Sequence, residues 1–118
     1  MAQHIQDGKY GEQRAVVFLK DQGYEILALN WRYKYNEVDI IAKDLGILVF
    51  VEVKSRHSAA FGDPASFVDI RKQGNLIRAA DAYLELSGFE GEIRFDIVSV
   101  MLSPPMTIEL IKDAFWSS

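Results

Sequence analysis

Residues 36–54, NEVDIIAKDLGILVFVEVK, hold two apolar runs separated by a turn signal. The runs are rich in β-branched and aromatic side chains, which favour strands. Leu45-Gly46 can close a two-residue loop between them, because glycine accepts the left-handed backbone that such loops use. The stretch therefore predicts a β-hairpin, and the remaining elements are placed around it.

Four charged residues interrupt these apolar runs: Glu37, Asp39, Glu52 and Lys54. With a two-residue loop, position 39 lies opposite 52 and position 37 opposite 54, and opposed residues share one face of a sheet. A four-residue loop keeps that face, whereas a three-residue loop breaks it. The hairpin thus predicts one polar cluster made of these four side chains.

The charges of this cluster require a positive group between the acids. Two carboxylates on neighbouring strands repel each other, and a buried unpaired charge costs several kcal/mol. The positive group is either the ammonium of Lys54 or a divalent cation such as Mg²⁺, which takes oxygen ligands. Glu37 then either supports the ion or pairs with Lys54 across the strands, and we favour the supporting role. The first alternative describes a structural salt-bridge cluster, and the second a metal site.

Apolar periodicity predicts the other elements. We expect helices over residues 6–22 and 66–86, and strands over 24–31 and 92–101. Residues 107–115 are either a last edge strand or a short helix. The first three strands form a meander, and the second helix makes the crossover to a strand parallel to its neighbour. This order predicts a single α/β domain, residues 1–118, with a mixed β-sheet flanked by helices.

Composition bounds the classes of protein to consider. The 118 residues suffice for one core, and the absence of cysteine excludes disulfides and thiolate metal sites. No apolar stretch is long enough to cross a membrane, and we expect a cytoplasmic protein without a membrane partner. The net charge of −4 argues against a simple electrostatic nucleic-acid binder. A bound metal ion would neutralise part of that charge.

A second pattern, Arg32-Tyr33-Lys34-Tyr35, interleaves two cations with two aromatic rings. Such a pattern can hold a nucleic-acid backbone and stack on bases. It is equally typical of a solvated turn whose tyrosines pack on the edge of the sheet, and we favour this second interpretation for both tyrosines. Arg32 contacts either phosphate or a site carboxylate.

Other charged residues have two interpretations each. Residues 56–65 are rich in small residues and predict a loop, in which Arg56 is a candidate phosphate contact and His57 is favoured as an exposed side chain over a general base. On spacing alone, Glu12 and Lys72 are solvated residues of the two helices.

An ordered set of motifs resembles the YraN-type family of small bacterial proteins, with the restriction-endonuclease-like fold and a relationship to Holliday-junction resolvases. The resemblance covers roughly Gly11 to Val100. Its motifs are Gly11-Glu12, Gly23-Tyr24, Asn30-x-Arg32, Glu37-Val38-Asp39-Ile40-Ile41, Val49-Phe50-Val51-Glu52-Val53-Lys54-x-Arg56, Lys72 and Arg94-Phe95-Asp96-Ile97. Asn36 departs from the family's usual Gly, and Asn is the next residue to accept a left-handed backbone.

The resemblance implies a restriction-endonuclease-like core and Mg²⁺- or Mn²⁺-dependent hydrolysis of DNA. Asp39, Glu52 and the Val53 carbonyl would hold the metal, and Glu12 would bind it through water or bind a second ion. Lys54 would orient and deprotonate the attacking water or stabilise the charge that develops on phosphate. The implied DNA contacts are Arg32, Arg56 and Lys72, with Asp96 supporting the far side of the fold.

The resemblance also implies partners. Branched, junction or single-stranded DNA is the expected substrate, and a homodimer is expected because two symmetric cuts need two sites. The alternatives are a non-catalytic nucleic-acid-binding subunit on the nuclease fold, a structural protein with a buried salt-bridge cluster, and another metal-dependent enzyme such as a phosphatase.

Overall fold

A computed structural model describes residues 2–57 and 69–115 of the chain, with side chains in the first helix from Gly8 onward. Its elements, in chain order, are α1 (Ala2–Asp21), β1 (Glu25–Tyr33), β2 (Asn36–Asp44), β3 (Ile47–Arg56), α2 (Ile70–Ser87), β4 (Ile93–Met101) and β5 (Thr107–Phe115). The described residues therefore follow the order helix, three strands, helix, two strands.

The strands form one five-stranded sheet in the order β1-β2-β3-β4-β5. All neighbours are antiparallel except β3 and β4, which α2 connects as a parallel pair. The predicted mixed sheet, with its meander and crossover, is confirmed. The segment left open between strand and helix is the edge strand β5. Asp44 pairs with Ile47, which confirms the two-residue hairpin loop.

The helices cover opposite faces of the sheet. Leu76, Ala79 and Ala80 of α2 pack with Phe50 and Phe95 on one side. On the other side, α1 packs Ala15 and Leu19 against a second set of strand residues, which are Ile40, Val51 and Val98. Each large side chain buried in this way stabilises the fold by roughly 1.5–3 kcal/mol.

The helix bounds differ from the prediction in detail. The first helix spans Ala2–Asp21, longer than 6–22 at its start. The second begins at Ile70 because the Asp69 side chain caps it and accepts a hydrogen bond from the Lys72 amide at 2.9 Å. The predicted residues 66–68 lie outside the described part. Gly88 ends the helix with a φ of 69°, as its sequence position indicates.

Strand regularity breaks at Asp39. Val38 and Ile41 both belong to the core beneath α2, although Ile40 between them belongs to the core beneath α1. Residues three apart share a face only if the alternation shifts by one position. Asn30, which falls opposite Asp39, has a φ of 50°. The expectation of unbroken alternation through position 39 is therefore wrong.

A buried polar cluster, which we call the far cluster, joins β4 to its neighbours. Asp96 is fully buried and accepts hydrogen bonds from the Tyr24 hydroxyl at 2.8 Å, from Arg94 Nε at 2.8 Å and from the Asp113 amide at 3.0 Å. Arg94 also donates to Asp44, and this lowers the pKa of the Asp44 carboxyl. Burial and the bond to Asp96 raise the pKa of Tyr24. These contacts agree with a structural interpretation of Asp96.

Neither of the described helices combines the length and the apolar composition that a membrane-crossing segment needs.

Candidate metal centre

The pairing of β2 with β3 stops at Ile40 and Val51. Beyond this pair, the Val53 amide donates to Asp39 Oδ2 at 2.8 Å, so a carboxylate replaces the backbone partner. The N–H and C=O groups of one strand residue point toward the same neighbouring strand. The Val53 carbonyl therefore faces the same gap. The two strands fork at this point, and the gap holds the candidate site.

A pocket of about 420 Å³ opens at the fork. It receives side chains from α1, from both strands of the fork and from the segment after β4. Its lining consists of Gly8, Glu12, Glu37, Asp39, Glu52, Val53, Lys54, Ser55, His57 and Leu102. The structure thus brings together the four residues predicted as catalytic, Glu12, Asp39, Glu52 and Lys54, as well as Glu37 and Val53.

Three acids form the outer part of the site. Glu12, Glu37 and Asp39 each place a carboxylate oxygen within 4.8 Å of the others. The Asn30 side chain, turned so that its amide nitrogen faces the acids, donates to Glu12 Oε1 at 2.8 Å and to Glu37 Oε1 at 3.0 Å. Asn30 lies on β1 and thereby holds a helix acid and a strand acid side by side. No ion-pair partner of Glu12 or Asp39 is present within 4.0 Å among the described residues.

Glu37 pairs with Arg32 and not with Lys54, the cation named in the alternative interpretation. Its Oε2 lies 2.8 Å from the guanidinium of Arg32, its cross-strand neighbour on β1. The predicted alternative of a Glu37–Lys54 pair is wrong, because the fork separates β2 from β3 at this height. Of the two interpretations of Arg32, the structure shows the contact with a site carboxylate. The Arg32 side chain remains 74% exposed.

Glu52 is the most buried acid of the site, with 4% of its side chain exposed. Its Oε1 lies 3.5 Å from the ammonium of Lys72 on α2 and 3.8 Å from that of Lys54. Within the described part of the chain, its Oε2 has no hydrogen-bond partner. A buried carboxylate oxygen without a donor is costly, and it calls for a positive ligand.

The acids hold their protons unusually tightly. Burial, followed by the charges of Asp39 and Glu37, raises the pKa of Glu12 to about 7. Burial, followed by the charge of Asp39, raises the pKa of Glu52 to about 7 despite two lysines. Burial also raises the pKa of Asp39, against the hydrogen bond from Val53. Because burial is the largest cause for all three acids, the site disfavours their charged forms unless a cation lies beside them.

A close approach of α1 to β3 places Glu12 in the pocket. A Cβ atom on Gly11 would lie 1.8 Å from Ser55 Oγ and 3.2 Å from Ser55 Cβ. Only glycine leaves this contact unstrained, and the next residue along the helix is Glu12. The sequence shows Gly11 as a motif residue, but its packing role depends on the position of Ser55.

The predicted DNA contacts are distributed unevenly. Lys72 reaches the pocket from α2 through Glu52. Arg56 ends β3 outside the pocket lining, whereas His57 is exposed and lines the pocket. Most of the predicted loop, residues 58–65, lies outside the described part of the chain.

The two tyrosines of the β1–β2 turn differ. Tyr33 is 37% exposed, and the Lys34 ammonium lies 5.3 Å from the centre of its ring. Tyr35 is fully exposed. The expectation that both rings pack on the edge of the sheet is wrong for Tyr35, because the ring stands at the tip of a two-residue turn.

Asn30 is the site residue that sequence reasoning missed. It appears in a resemblance motif, but no role followed from it. Asn is disfavoured within strands, and its place in an otherwise apolar run was a usable signal. The left-handed backbone at position 30 explains why the strand accepts Asn there, since Asn adopts that conformation more readily than most residues.

Comparison with known proteins identifies the family. The model of the family described as "Uncharacterised protein family UPF0102" matches residues 11–100. The chain belongs to UPF0102. A UPF0102 protein of Chlorobium chlorochromatii is 46% identical over 116 residues, covering 92% of this chain and 90% of the relative. A UPF0102 protein of Christiangramia forsetii is 44% identical over 117 residues, covering 98% of each.

A less similar member matches over a similar length of the chain. A UPF0102 protein of Bacteroides thetaiotaomicron is 42% identical over 117 residues, covering 98% of this chain and 97% of the relative. The UPF0102 region of this chain contains every acid and lysine of the pocket and leaves the edge strand β5 outside. The predicted membership in the YraN-type family is thereby confirmed.

Proposed function

We propose that this protein is a Mg²⁺- or Mn²⁺-dependent endonuclease on a restriction-endonuclease-like core, which hydrolyses phosphodiester bonds of DNA, including branched or junction DNA. One observation carries the proposal. Asp39 and the buried Glu52 line one pocket at a fork between two strands. The described residues supply no donor to one oxygen of Glu52, while two ammonium groups lie beside the other. Paired carboxylates next to lysines suit a phosphate bound through a cation.

The residues present fit a hard divalent cation. The site offers carboxylate oxygens and a backbone carbonyl, the ligands that Mg²⁺ and Mn²⁺ prefer. The raised pKa values of Glu12 and Glu52 reflect the cost of burying their charged forms, and such an ion would offset that cost. Asp39, Glu52 and the Val53 carbonyl would hold the ion, with Glu12 close enough to join through water. A bound ion supplies Lewis acidity toward phosphate and lowers the pKa of water.

The lysines provide the remaining function. Lys54 shares the pocket with the acids, and its side chain is 35% exposed, so its ammonium can reach a phosphate oxygen. There it would stabilise the negative charge that grows as water attacks phosphorus, and hold that water in line. Lys72 approaches from the opposite helix and would hold the adjacent phosphate. Arg32, Arg56 and a second subunit would extend the contact along DNA.

Calorimetric titration with Mn²⁺ and Mg²⁺ tests the proposal. We expect the native protein to bind the ion and to cut branched or single-stranded DNA, and the Asp39→Asn/Glu52→Gln variant to do neither. Glu90→Gln removes an exposed acid and serves as the matched control with unchanged binding. Equal ion affinity in the native protein and the double variant would overturn the assignment of the site.

The lysine contacts also support a second candidate, in which Lys54 and Lys72 neutralise Glu52 and the pocket has no reaction to perform. This protein would be an interaction or nucleic-acid-binding module that retains the nuclease fold. It would bind no divalent ion in the pocket, and DNA binding would be independent of Mg²⁺.

A further inference from the structure

A second cavity, which we call the turn groove, lies between the β1–β2 turn and α2 and measures about 790 Å³. Ligand pockets typically enclose roughly 300–1,000 Å³. The turn contributes two aromatic rings and a lysine, and α2 contributes polar and charged side chains. The lining consists of Tyr33, Lys34, Tyr35, Asn36, Asn75, Arg78, Asp81, Ala82, Glu85 and Leu86.

We propose that the turn groove binds an unpaired nucleotide of a single-stranded polynucleotide segment and so selects substrates that carry an unpaired strand beside the bond to be cut. The inference rests on the proposed nuclease function for its second half. The binding itself requires no metal ion and no reaction, and the two halves are tested separately.

The aromatic rings supply the first argument. A fully exposed tyrosine at the tip of a turn leaves the face of its ring in water, although the ring has no packing role there. Bases stack on such rings, and every base offers a π-face, so the interaction tolerates any sequence. Tyr33 and Lys34 lie directly beside it and provide a second ring and a cation. In a duplex the base faces are hidden, so only an unpaired base can stack in this way.

The charges of the groove supply the second argument. Lys34 and Arg78 are balanced by Asp81 and Glu85, so the lining does not form a positive track for a phosphate backbone. It does match a whole nucleotide. Cations suit the phosphate, whereas carboxylate and amide groups accept hydrogen bonds from the amino groups of base edges. Asn75, held by a hydrogen bond from Arg78, adds an amide to the same wall.

The position of the groove supplies the third argument. Asn36 lines the turn groove, and the next residue, Glu37, lines the candidate metal centre. Tyr35 and Asp39 are four residues apart on nearly continuous strand, which corresponds to about 13 Å. A stacked strand rises 3.4 Å per nucleotide, so this separation accommodates about four nucleotides. Arg32, exposed on the neighbouring strand, pairs with Glu37, which lines the candidate metal centre.

Fluorescence anisotropy tests the binding, with labelled oligo-dT and oligo-U strands of about 12 nucleotides and a blunt-ended duplex of about 12 base pairs as probes. EDTA in the buffer excludes cleavage. We expect the native protein to bind both single strands more tightly than the duplex. Tyr35→Ala should weaken single-strand binding about tenfold, whereas Tyr35→Phe, which keeps the ring, should stay within about twofold.

Leu45→Ala is the matched control. Leu45 is also a fully exposed apolar side chain at the tip of a two-residue turn, but at the opposite end of β2. Its removal should leave binding unchanged. Because Tyr35 has no packing contact to lose, the thermal midpoints of the Tyr35 variants should match that of the native protein.

The outcomes separate this inference from the proposed function. Single-strand affinity that Tyr35→Ala leaves unchanged, or a native preference for duplex, overturns the turn groove even if the protein cuts DNA. Binding that depends on Tyr35 in the Asp39→Asn/Glu52→Gln variant supports the groove independently of the metal. If the native protein also cuts a flapped substrate faster than a blunt duplex, and Tyr35→Ala removes that difference, substrate selection is supported. Equal cutting of both substrates by native protein overturns it.

Discussion

At the scale of single residues, Glu52 is the group on which the two proposed functions diverge. Its carboxylate is buried and lies near two ammonium groups, and burial, followed by the charge of Asp39, raises its pKa to about 7. In a salt-bridge protein, the lysines are its final partners. In a metalloenzyme, the two lysines compete with a bound cation for Glu52, and they also contact the phosphate of the substrate.

Replacing both lysines, Lys54→Gln with Lys72→Gln, distinguishes these functions. The variant removes both ammonium groups that lie beside Glu52, and we expect its thermal midpoint to fall by several degrees, about 4–8 °C for each kcal/mol lost. Saturating Mn²⁺ should bring the midpoint close to that of the ion-bound native protein, because the ion replaces the missing charge. Differential scanning calorimetry measures both values.

Lys112→Gln is the control for that experiment. Its ammonium lies 3.3 Å from Asp44 in the far cluster, so the variant also removes a lysine–carboxylate pair. Mn²⁺ should raise the thermal midpoint of Lys112→Gln no more than it raises that of the native protein. If Mn²⁺ also fails to bring the thermal midpoint of the Lys54/Lys72 variant closer to that of the native protein, the pocket is a salt-bridge cluster.

The raised pKa values of Glu12 and Glu52 predict how stability depends on pH. Between the unfolded value of 4.5 and the folded value of about 7, the folded protein binds more protons than the unfolded chain. Stability without metal should therefore fall as pH rises through this window. Asp44, with a lowered pKa, contributes only at more acidic pH.

Urea denaturation at pH values from about 5 to about 8 checks this prediction. Glu52→Gln, which cannot ionise, should flatten the decline. Divalent ions should bind more tightly at the alkaline end, because they compete with protons for the same oxygens. A native stability that rises across the whole window would contradict the assignment.

At the scale of elements, the contact between α1 and β3 controls the position of Glu12. Gly11→Ala would insert a methyl group into Ser55, and overpacking of this kind costs about 1–3 kcal/mol. The helix must then shift away from the strand. We expect lower stability together with weaker ion binding, since Glu12 moves with the helix.

A compensating change and a control sharpen that test. Ser55→Ala removes the clashing hydroxyl, so the Gly11→Ala/Ser55→Ala variant should recover much of the loss in urea denaturation. Gly8→Ala on the same helix has open space around its new methyl group and should be neutral or stabilising. Additive effects of the two substitutions would show that the contact does not hold α1 in place.

The elements themselves were largely predictable, because local patterns encode them. Apolar runs on both sides of Leu45-Gly46 were enough for the hairpin and its loop length. The break in alternation at Asp39 was not predictable, since it depends on a left-handed residue, Asn30, in the neighbouring strand. The Arg32–Glu37 pair depends on the register of β1 against β2, which a single strand does not reveal.

The site was predictable in composition but not in arrangement. Spacing brought Asp39, Glu52 and Lys54 to one hairpin, and resemblance added Glu12 and Lys72. How Lys72 reaches Glu52 depends on where the crossover helix crosses the sheet, and this is a property of packing. Tyr35 was misjudged because a sequence does not show which turn residues the sheet leaves uncovered.

At the scale of the whole molecule, the sheet carries two polar clusters with different roles. In the far cluster, Asp96 has donors for both of its oxygens, and Arg94 and Tyr24 are engaged with it. At the fork, no donor from the described residues reaches Oε2 of Glu52. We infer that the far cluster stabilises the fold, whereas the buried acids at the fork cost stability that a bound cation would restore.

Paired substitutions should separate these roles. Asp96→Ala leaves Arg94 with a missing partner in the interior and should cost about 3–5 kcal/mol in urea denaturation, with unchanged Mn²⁺ affinity in the folded protein. Glu52→Gln should do the reverse above pH 7, raising stability and abolishing ion binding. Parallel losses of stability and affinity in both variants would refute the division.

The strand order of the sheet follows the order of the chain, from β1 to β5. Each pair of neighbouring strands is therefore joined by a short loop, apart from the parallel pair β3 and β4, which α2 connects. Short closures are fast, and loops that must bring distant segments together are slow. We expect refolding to begin with the β1–β3 meander and to wait for this crossover. Glu37, Asp39 and Glu52 would then be neighbours in the nascent chain before α2 delivers Lys72.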